Sequence, residues 1–150
     1  MAIGEVNLPA VIELRQRWLG VIALAKDEVF EDGIATRFSE AMIRELSEAS
    51  VEAVEALQWV IDGTKGIDEI SAQALRCAAR VKNQRTCFAR LLLACRMLNS
   101  TSATIRDGAA VALASMGDSS AFESLQRAAA VETVPELRED LEAVMRQLRS

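Results

Sequence analysis

Apolar residues recur along the chain at three- and four-residue steps, the spacing that lines up one face of an α-helix. Val11, Leu14, Trp18, Leu19, Ile22 and Ala25 follow this rhythm after Pro9. Proline suits a first helical turn, with Asn7 or Leu8 just before it, so a helix is predicted to about residue 26. "DEVFEDG" predicts a turn ending at Asp32-Gly33. Ile34, Phe38, Met42 and Leu46 share one face of a second helix over about 34–47. Ser50 is a fitting N-cap for a third helix over 51–62, and Gly63 and Gly66 bound the loop after it. A fourth helix over 67–81 turns Ile70, Ala74, Cys77, Ala78 and Val81 inward. After a tight turn at "KNQR", "CFARLLLACRML" predicts a fifth helix over 86–98. It is apolar nearly all round, as befits a helix lying between two layers.

The last third of the chain is leaner. A sixth helix is predicted over 103–116, with Gly117 as the left-handed residue that ends it. Asp118 or Ser119 caps a seventh helix running to about Val131, and Pro135 starts an eighth to about Leu148. Connections this short join antiparallel neighbours. "ATIRDGAAVALASMG" laid over "PELREDLEAVMRQLR" sets Ile105 on Leu137, Arg106 on Arg138, Asp107 on Glu139, Val111 on Ala143, Leu113 on Met145 and Met116 on Leu148. The offset falls in the range of stacked helix-pair repeats. Alanines suit such a stack, because they let helix backbones approach closely.

The stretch "IRDGAAVALASMGDSSAFESLQRAAAVETVPELREDLEAVMRQL" resembles the HEAT-like repeats of the phycobilisome-lyase type. There an Ile/Val-Arg pair opens the first helix, small residues fill its middle, and a Gly-Asp breaks to the second. The corresponding residues are Ile105-Arg106, Ala109-Ala110, Gly117-Asp118 and Leu137-Arg138. The resemblance implies a ladder between neighbouring repeats that includes Arg106, Asp118 and Arg138. It covers about 104–148. Residues 1–100 lack these signposts and are either degenerate helix pairs or a helical cap. The expected fold is therefore all-α: one domain over 1–150, built as a short right-handed α-solenoid of about eight antiparallel helices, HEAT-like over 103–150.

Composition narrows the chemistry. Of the 150 residues, 51% are hydrophobic but only 4% aromatic, and there is no His and no Tyr. The usual general base and the usual zinc ligand are thus missing, and neither a metal nor another cofactor is expected. Cys77, Cys87 and Cys95 have no paired spacing and sit in apolar helical surroundings, where thiols act as small hydrophobes. They indicate a reducing cytoplasm. "MAIGEVNLPA" lacks a basic leader, and the apolar runs fall short of the ~20 residues of a membrane span. Ser71 and Ser102 have no His to activate them. "GTKG" at 63–66 has only a superficial likeness to a phosphate loop, without its spacing or a preceding strand. Adjacent carboxylates such as Asp27-Glu28, Asp68-Glu69 and Glu139-Asp140 point different ways on a helix, so acid–base catalysis is not expected.

Charge is segregated within the net −5. Residues 1–70 carry 6 basic and 14 acidic side chains, residues 71–110 carry 7 and 1, and residues 111–150 carry 4 and 7. Arg76 and Arg80 stack four apart on one helix face, and Lys82 and Arg85 flank the next turn, with Arg90 and Arg96 beyond. These cations are candidates for docking an acidic protein surface or phosphates; otherwise they are a solvated face, paired with Glu45, Glu48 or Glu52. Phe88, nearby, reads as core, which leaves no platform for stacking bases. Trp59 falls between Glu52 and Glu55 with Asp62 close by, opposite Val54, Leu57, Val60 and Ile61. It is either an exposed recognition residue or packs beneath a neighbouring layer. The acidic stretch over 40–55 either attracts a basic partner or is the wet side of its helices.

These features point to a non-catalytic protein-binding module of adaptor, chaperone-like or inhibitory type. Its partner is another protein, bound through a curved helical surface by Trp59, Arg76, Arg80, Lys82 and Arg85. The apolar first helix leaves open homodimerisation through an end repeat. The resemblance adds two alternatives, a bilin lyase or its subunit, and a nucleic-acid-binding HEAT-like protein. The acidic total disfavours the second.

Overall fold

A computed structural model describes residues 8–31 and 33–149. Asn7 and Asp32, to which the sequence assigned a helix start and a turn, lie outside the described residues. The described residues form eight α-helices and no strand: α1 (Leu8–Ala23), α2 (Arg37–Glu48), α3 (Val51–Gly63), α4 (Asp68–Arg80), α5 (Cys87–Met97), α6 (Ala103–Met116), α7 (Phe122–Val131) and α8 (Pro135–Arg149). Single 3₁₀ turns, Gln84–Thr86 and Ser119–Ala121, lead into α5 and α7.

Helix ends follow from local chemistry. Ser50 accepts a hydrogen bond from Ala53 N at 3.2 Å, and Ser102 one from Ile105 N at 3.3 Å. Gly117 adopts φ +63° and returns its N–H to Leu113 O, the left-handed stop that a side chain would strain. The second helix starts later than its apolar spacing suggested. Thr36 Oγ1 accepts from Ser39 N while Ser39 Oγ accepts from Thr36 N, a reciprocal cap. Glu28 from the preceding loop takes the Arg37 and Phe38 N–H groups at 3.0 and 2.9 Å. Ile34, expected on the helix's inner face, is left outside it and exposed. A capped start at Thr36 outweighs one more apolar contact.

Alternate helices pack on one another, and α5 also packs on α6 and α7 on α8. α1 packs on α3 and α3 on α5, while α2 packs on α4, α4 on α6 and α6 on α8. The core holds Phe38, Met42, Leu46, Leu57, Leu75, Leu93, Leu113, Leu125 and Leu141, all essentially inaccessible. Trp18 joins it, with its indole Nε1 donating to Ala53 O at 2.7 Å. α5 turns Leu91, Leu93, Ala94 and Met97 inward. Phe88, expected in the core, is 72% exposed because it lies on the far side of α5 from that arc. Cys87 is also exposed, so only Cys77 and, in part, Cys95 behave as buried thiols.

The broadest packing joins α4 to α6, and Gly108 is the reason it can be so close. A Cβ at this position would lie 2.7 Å from Ala72 Cα and 3.0 Å from Ala72 O. Gly108→Ala therefore sets two effects against each other. Helix propensity would gain ~1 kcal/mol, but the clash is with backbone, which cannot swing aside, and overpacking costs about 1–3 kcal/mol. The expected result is a net loss of stability, seen as a lower urea midpoint at unchanged helicity. A raised midpoint would refute the close approach.

Candidate functional site

The even-numbered helices carry a groove. At one end, the loop at Phe30, Ile34 and Thr36 faces Ser39 of α2, Gln73, Arg76, Cys77 and Arg80 of α4, and Val111 and Ser115 of α6, around a volume of about 260 Å³. A second depression, about 420 Å³, continues between α6 and α8, lined by Asp107, Ala110, Val111, Ala114, Ser115, Asp140, Ala143 and Val144. Val111 and Ser115 belong to both. One end thus carries Arg76 and Arg80 with Glu31 on its loop side, and the other is apolar with a carboxylate margin. The equivalence of Val111 and Ala143 in the repeat alignment foreshadows this, since both line the groove. Phe30, Ser39, Gln73 and Ser115 carried no comparable signal.

Two of the four expected cations line it. Arg76 Nη2 meets Asp107 Oδ2 at 3.2 Å, tying α4 to α6. Arg80 is exposed at the last turn of α4, its Nη2 3.8 Å from Cys77 Sγ. Lys82 and Arg85 sit in the connection to α5, exposed, and line neither depression. The α4–α5 connection carries them out of the groove, so the basic cluster divides. Arg90 and Arg96 leave it as well: Arg90 is buried, and Arg96 donates to Gln58 Oε1 at 2.9 Å. Of the acidic residues proposed as its counter-charges, Glu45 pairs with Arg17 at 3.8 Å. Burial pushes the Cys77 thiol above its ordinary pKa, against a smaller downward pull from Arg80. Burial likewise raises Cys95, countered by a hydrogen bond with Ser124. Both thiols stay protonated at neutral pH.

Trp59 lies elsewhere, on α3 beside α1. It is 53% exposed, and the Arg15 guanidinium carbon sits 3.5 Å from the centroid of its ring. It does not line the groove.

Of the three residues expected in a ladder, Arg106 and Arg138 both meet Glu132, which the sequence did not single out. Arg106 Nε and Nη2 meet the two carboxylate oxygens of Glu132 at 2.8 and 3.0 Å, and its Nη1 donates to Ser100 O. Arg138 Nε and Nη2 donate to the Glu132 carbonyl at 3.1 and 2.8 Å. Asp118 takes no part. Its carboxylate accepts from Ser120 N and Ser120 Oγ, because as the cap of the 3₁₀ turn it is committed to local donors. These bonds hold its carboxyl below its ordinary pKa.

Among the described residues no group of three or more His, Cys, Asp or Glu is arranged to hold a metal ion, and no helix is long and apolar enough to cross a membrane. Comparison with protein-family models, with curated proteins and with solved structures yields no match.

Proposed function

We propose that the chain is a non-catalytic protein-binding module. It would be a short stack of HEAT-like helix pairs whose even-numbered helices grip a carboxylate-bearing segment of another protein. The single observation that carries this reading is the groove itself. Its two depressions are lined by α2, α4, α6 and α8, and the first offers Arg76 and Arg80, with Glu31 on the loop side, beside apolar surface at Phe30, Ile34 and Val111. Such a surface fits a segment that pairs an acidic side chain with an apolar one.

The stacked arrangement has its own support. Six side-chain hydrogen bonds among the described residues join positions 31 to 38 apart, beside the Arg106–Glu132 pair 26 apart: Arg76 to Asp107, Gln147 to Ala114, Asn83 to Ala49, Trp18 to Ala53, Asn83 to Leu46, and Arg96 to Gln58. A recurring separation of about this size supports a helical repeat stack, in which each unit packs on the next. The non-catalytic reading rests on chemistry already described. The hydroxyls of Thr36 and Ser39 are spent on a cap, Asp107 is paired with Arg76, and Cys77 is held as a thiol.

A labelled amphipathic peptide of leucine and glutamate tests the reading by fluorescence anisotropy. It is expected to bind saturably. Arg76→Glu/Arg80→Glu should weaken binding at least tenfold, about 1.4 kcal/mol or more, whereas Lys82→Glu/Arg85→Glu should change it little. Absence of saturable binding, or equal loss in both variants, would overturn the groove as the site.

A further inference from the structure

A second surface, outside the groove, has the opposite character. On α1, Leu8, Ile12, Arg15 and Leu19 follow one another at four-, three- and four-residue steps, so they fall on one narrow stripe. Its three apolar members are 60%, 44% and 42% exposed. On α3, Glu52, Glu55, Trp59 and Asp62 make a matching stripe, likewise exposed. The Arg15 guanidinium over the Trp59 ring joins the two.

Three features distinguish this surface from ordinary solvated helix. The first is the size of its apolar content, since an indole and three aliphatic side chains are open together, while single exposed apolar residues are common. The second is order. Trp59 is held flat by Arg15, whose stem is packed closely enough that its Nε is buried without a hydrogen-bond partner. An aromatic fixed before binding loses little freedom when it is covered. The third is charge. Glu52, Glu55 and Asp62 form neither hydrogen bonds nor ion pairs with other described residues, and Arg15 is the only cation on the two stripes. Three unpaired carboxylates rim an apolar centre that contains one cation.

We infer that the α1–α3 face docks a basic amphipathic helix of a partner protein. Its apolar side would cover Ile12, Leu19 and Trp59, and its lysines or arginines would meet Glu52, Glu55 and Asp62. Charge decides between this occupant and a second copy of the chain. An isologous pair would bring the three carboxylates of each copy against those of the other, whereas a basic helix neutralises them. The apolar anchors sit on one helix and its neighbour, the geometry by which a helix is held in a shallow groove. With the even-helix groove taking acidic segments, the chain would bridge two proteins of opposite charge.

Tryptophan emission reads this surface directly, because Trp18 is buried and Trp59 is not. Titration with a synthetic amphipathic peptide of leucine and lysine is expected to give a saturable emission shift. Ile12→Glu and Glu52→Lys/Glu55→Lys change exposed side chains; each should weaken binding at least tenfold while leaving the circular dichroism spectrum unchanged. The same titration with Arg76→Glu/Arg80→Glu should keep its affinity, which separates failure here from failure of the groove. Three outcomes would overturn the inference: no saturable shift, undiminished binding to Ile12→Glu, or sedimentation of the free chain as a dimer that Ile12→Glu converts to monomer.

Discussion

Glu132→Ala is expected to lower stability by about 3–5 kcal/mol, the usual cost of removing one partner from a buried ion pair. Glu132 is 5% exposed, and its carboxylate does four things at once. It takes both forks of Arg106, and it also accepts the Thr133 and Val134 N–H groups at 3.1 Å each. Its carbonyl, meanwhile, holds Arg138. Truncation leaves a partly buried guanidinium without its counter-charge and two amides unmet just before α8. Set against a domain stability of roughly 5–15 kcal/mol, this should be plain in a urea melt. Glu132→Gln keeps the shape but removes the charge, so a smaller loss is expected.

The pair also fixes a pH dependence. The Arg106 hydrogen bonds, more than any other influence, hold the Glu132 carboxyl below its ordinary value of 4.5. A carboxylate depressed on folding contributes stability that is complete above the unfolded-state pKa and vanishes as pH falls through the folded one. The gap between wild type and Glu132→Gln should therefore be constant near neutrality and shrink only below about pH 4.5. A gap that narrowed as pH rose would contradict the assignment.

The difference between what was legible and what was not runs along the range of the interactions. Ser50, Gly117 and Pro135 act on groups within four residues, so their roles could be read from local order alone. The apolar faces of α3 and α4 were legible for the same reason, since helical period is a local property. Ile105 and Leu137, matched by the repeat alignment, are both buried. Hidden from the sequence were polar side chains that act across the fold. Asn83 donates to Leu46 O and Ala49 O at 3.2 and 3.0 Å, yet in "KNQR" it looks like any turn residue. Glu132 follows the apolar run of α7 and reads as solvated charge. In each case the identity of the donor or acceptor is plain, but its partner lies some 26 to 37 positions away, which no period encodes.

The candidate site was legible to a lesser extent. Arg76 and Arg80 were found because their spacing puts them on one helix face, and that face borders the groove. Lys82 and Arg85 were grouped with them by nearness in sequence, which ceases to mean nearness in space once the helix ends. Phe88 was misplaced through composition. An apolar residue in an apolar helix was assigned to the core, although its angle around α5 sets it opposite Leu93, Ala94 and Met97.

Arg90 is another polar side chain whose buried role its sequence neighbourhood did not reveal, and it carries the second large prediction. It was grouped with the basic edge, yet it is 5% exposed and meets no carboxylate. Its Nη1 donates to Ala78 O at 2.7 Å, Nη2 to Asn83 O at 2.9 Å, and Nε to Thr86 Oγ1 at 3.0 Å. Two of these acceptors are main-chain carbonyls where α4 ends and the chain turns into α5. Asn83, held by Arg90 from one side, reaches from the other to the end of α2, so one guanidinium fastens three helices. Burial pushes its pKa below the usual arginine value, a sign that desolvation is the main opposing force. It would follow that an apolar residue should do better, as happens when whole buried ion pairs are replaced. That reasoning fails here because the acceptors are backbone and cannot be replaced with the donor. Arg90→Met fills the space of the stem but strands the Ala78 carbonyl, while Asn83 O keeps the Thr86 N–H and hydroxyl; an unmet buried acceptor costs about 1–3 kcal/mol, and a loss of about that size is expected. Arg90→Lys should fall between, since a single ammonium cannot present a planar fork to three acceptors. The urea midpoints of the three proteins should thus rank wild type, lysine, methionine. A methionine variant as stable as wild type would mean that Arg90 does not hold the α4–α5 turn.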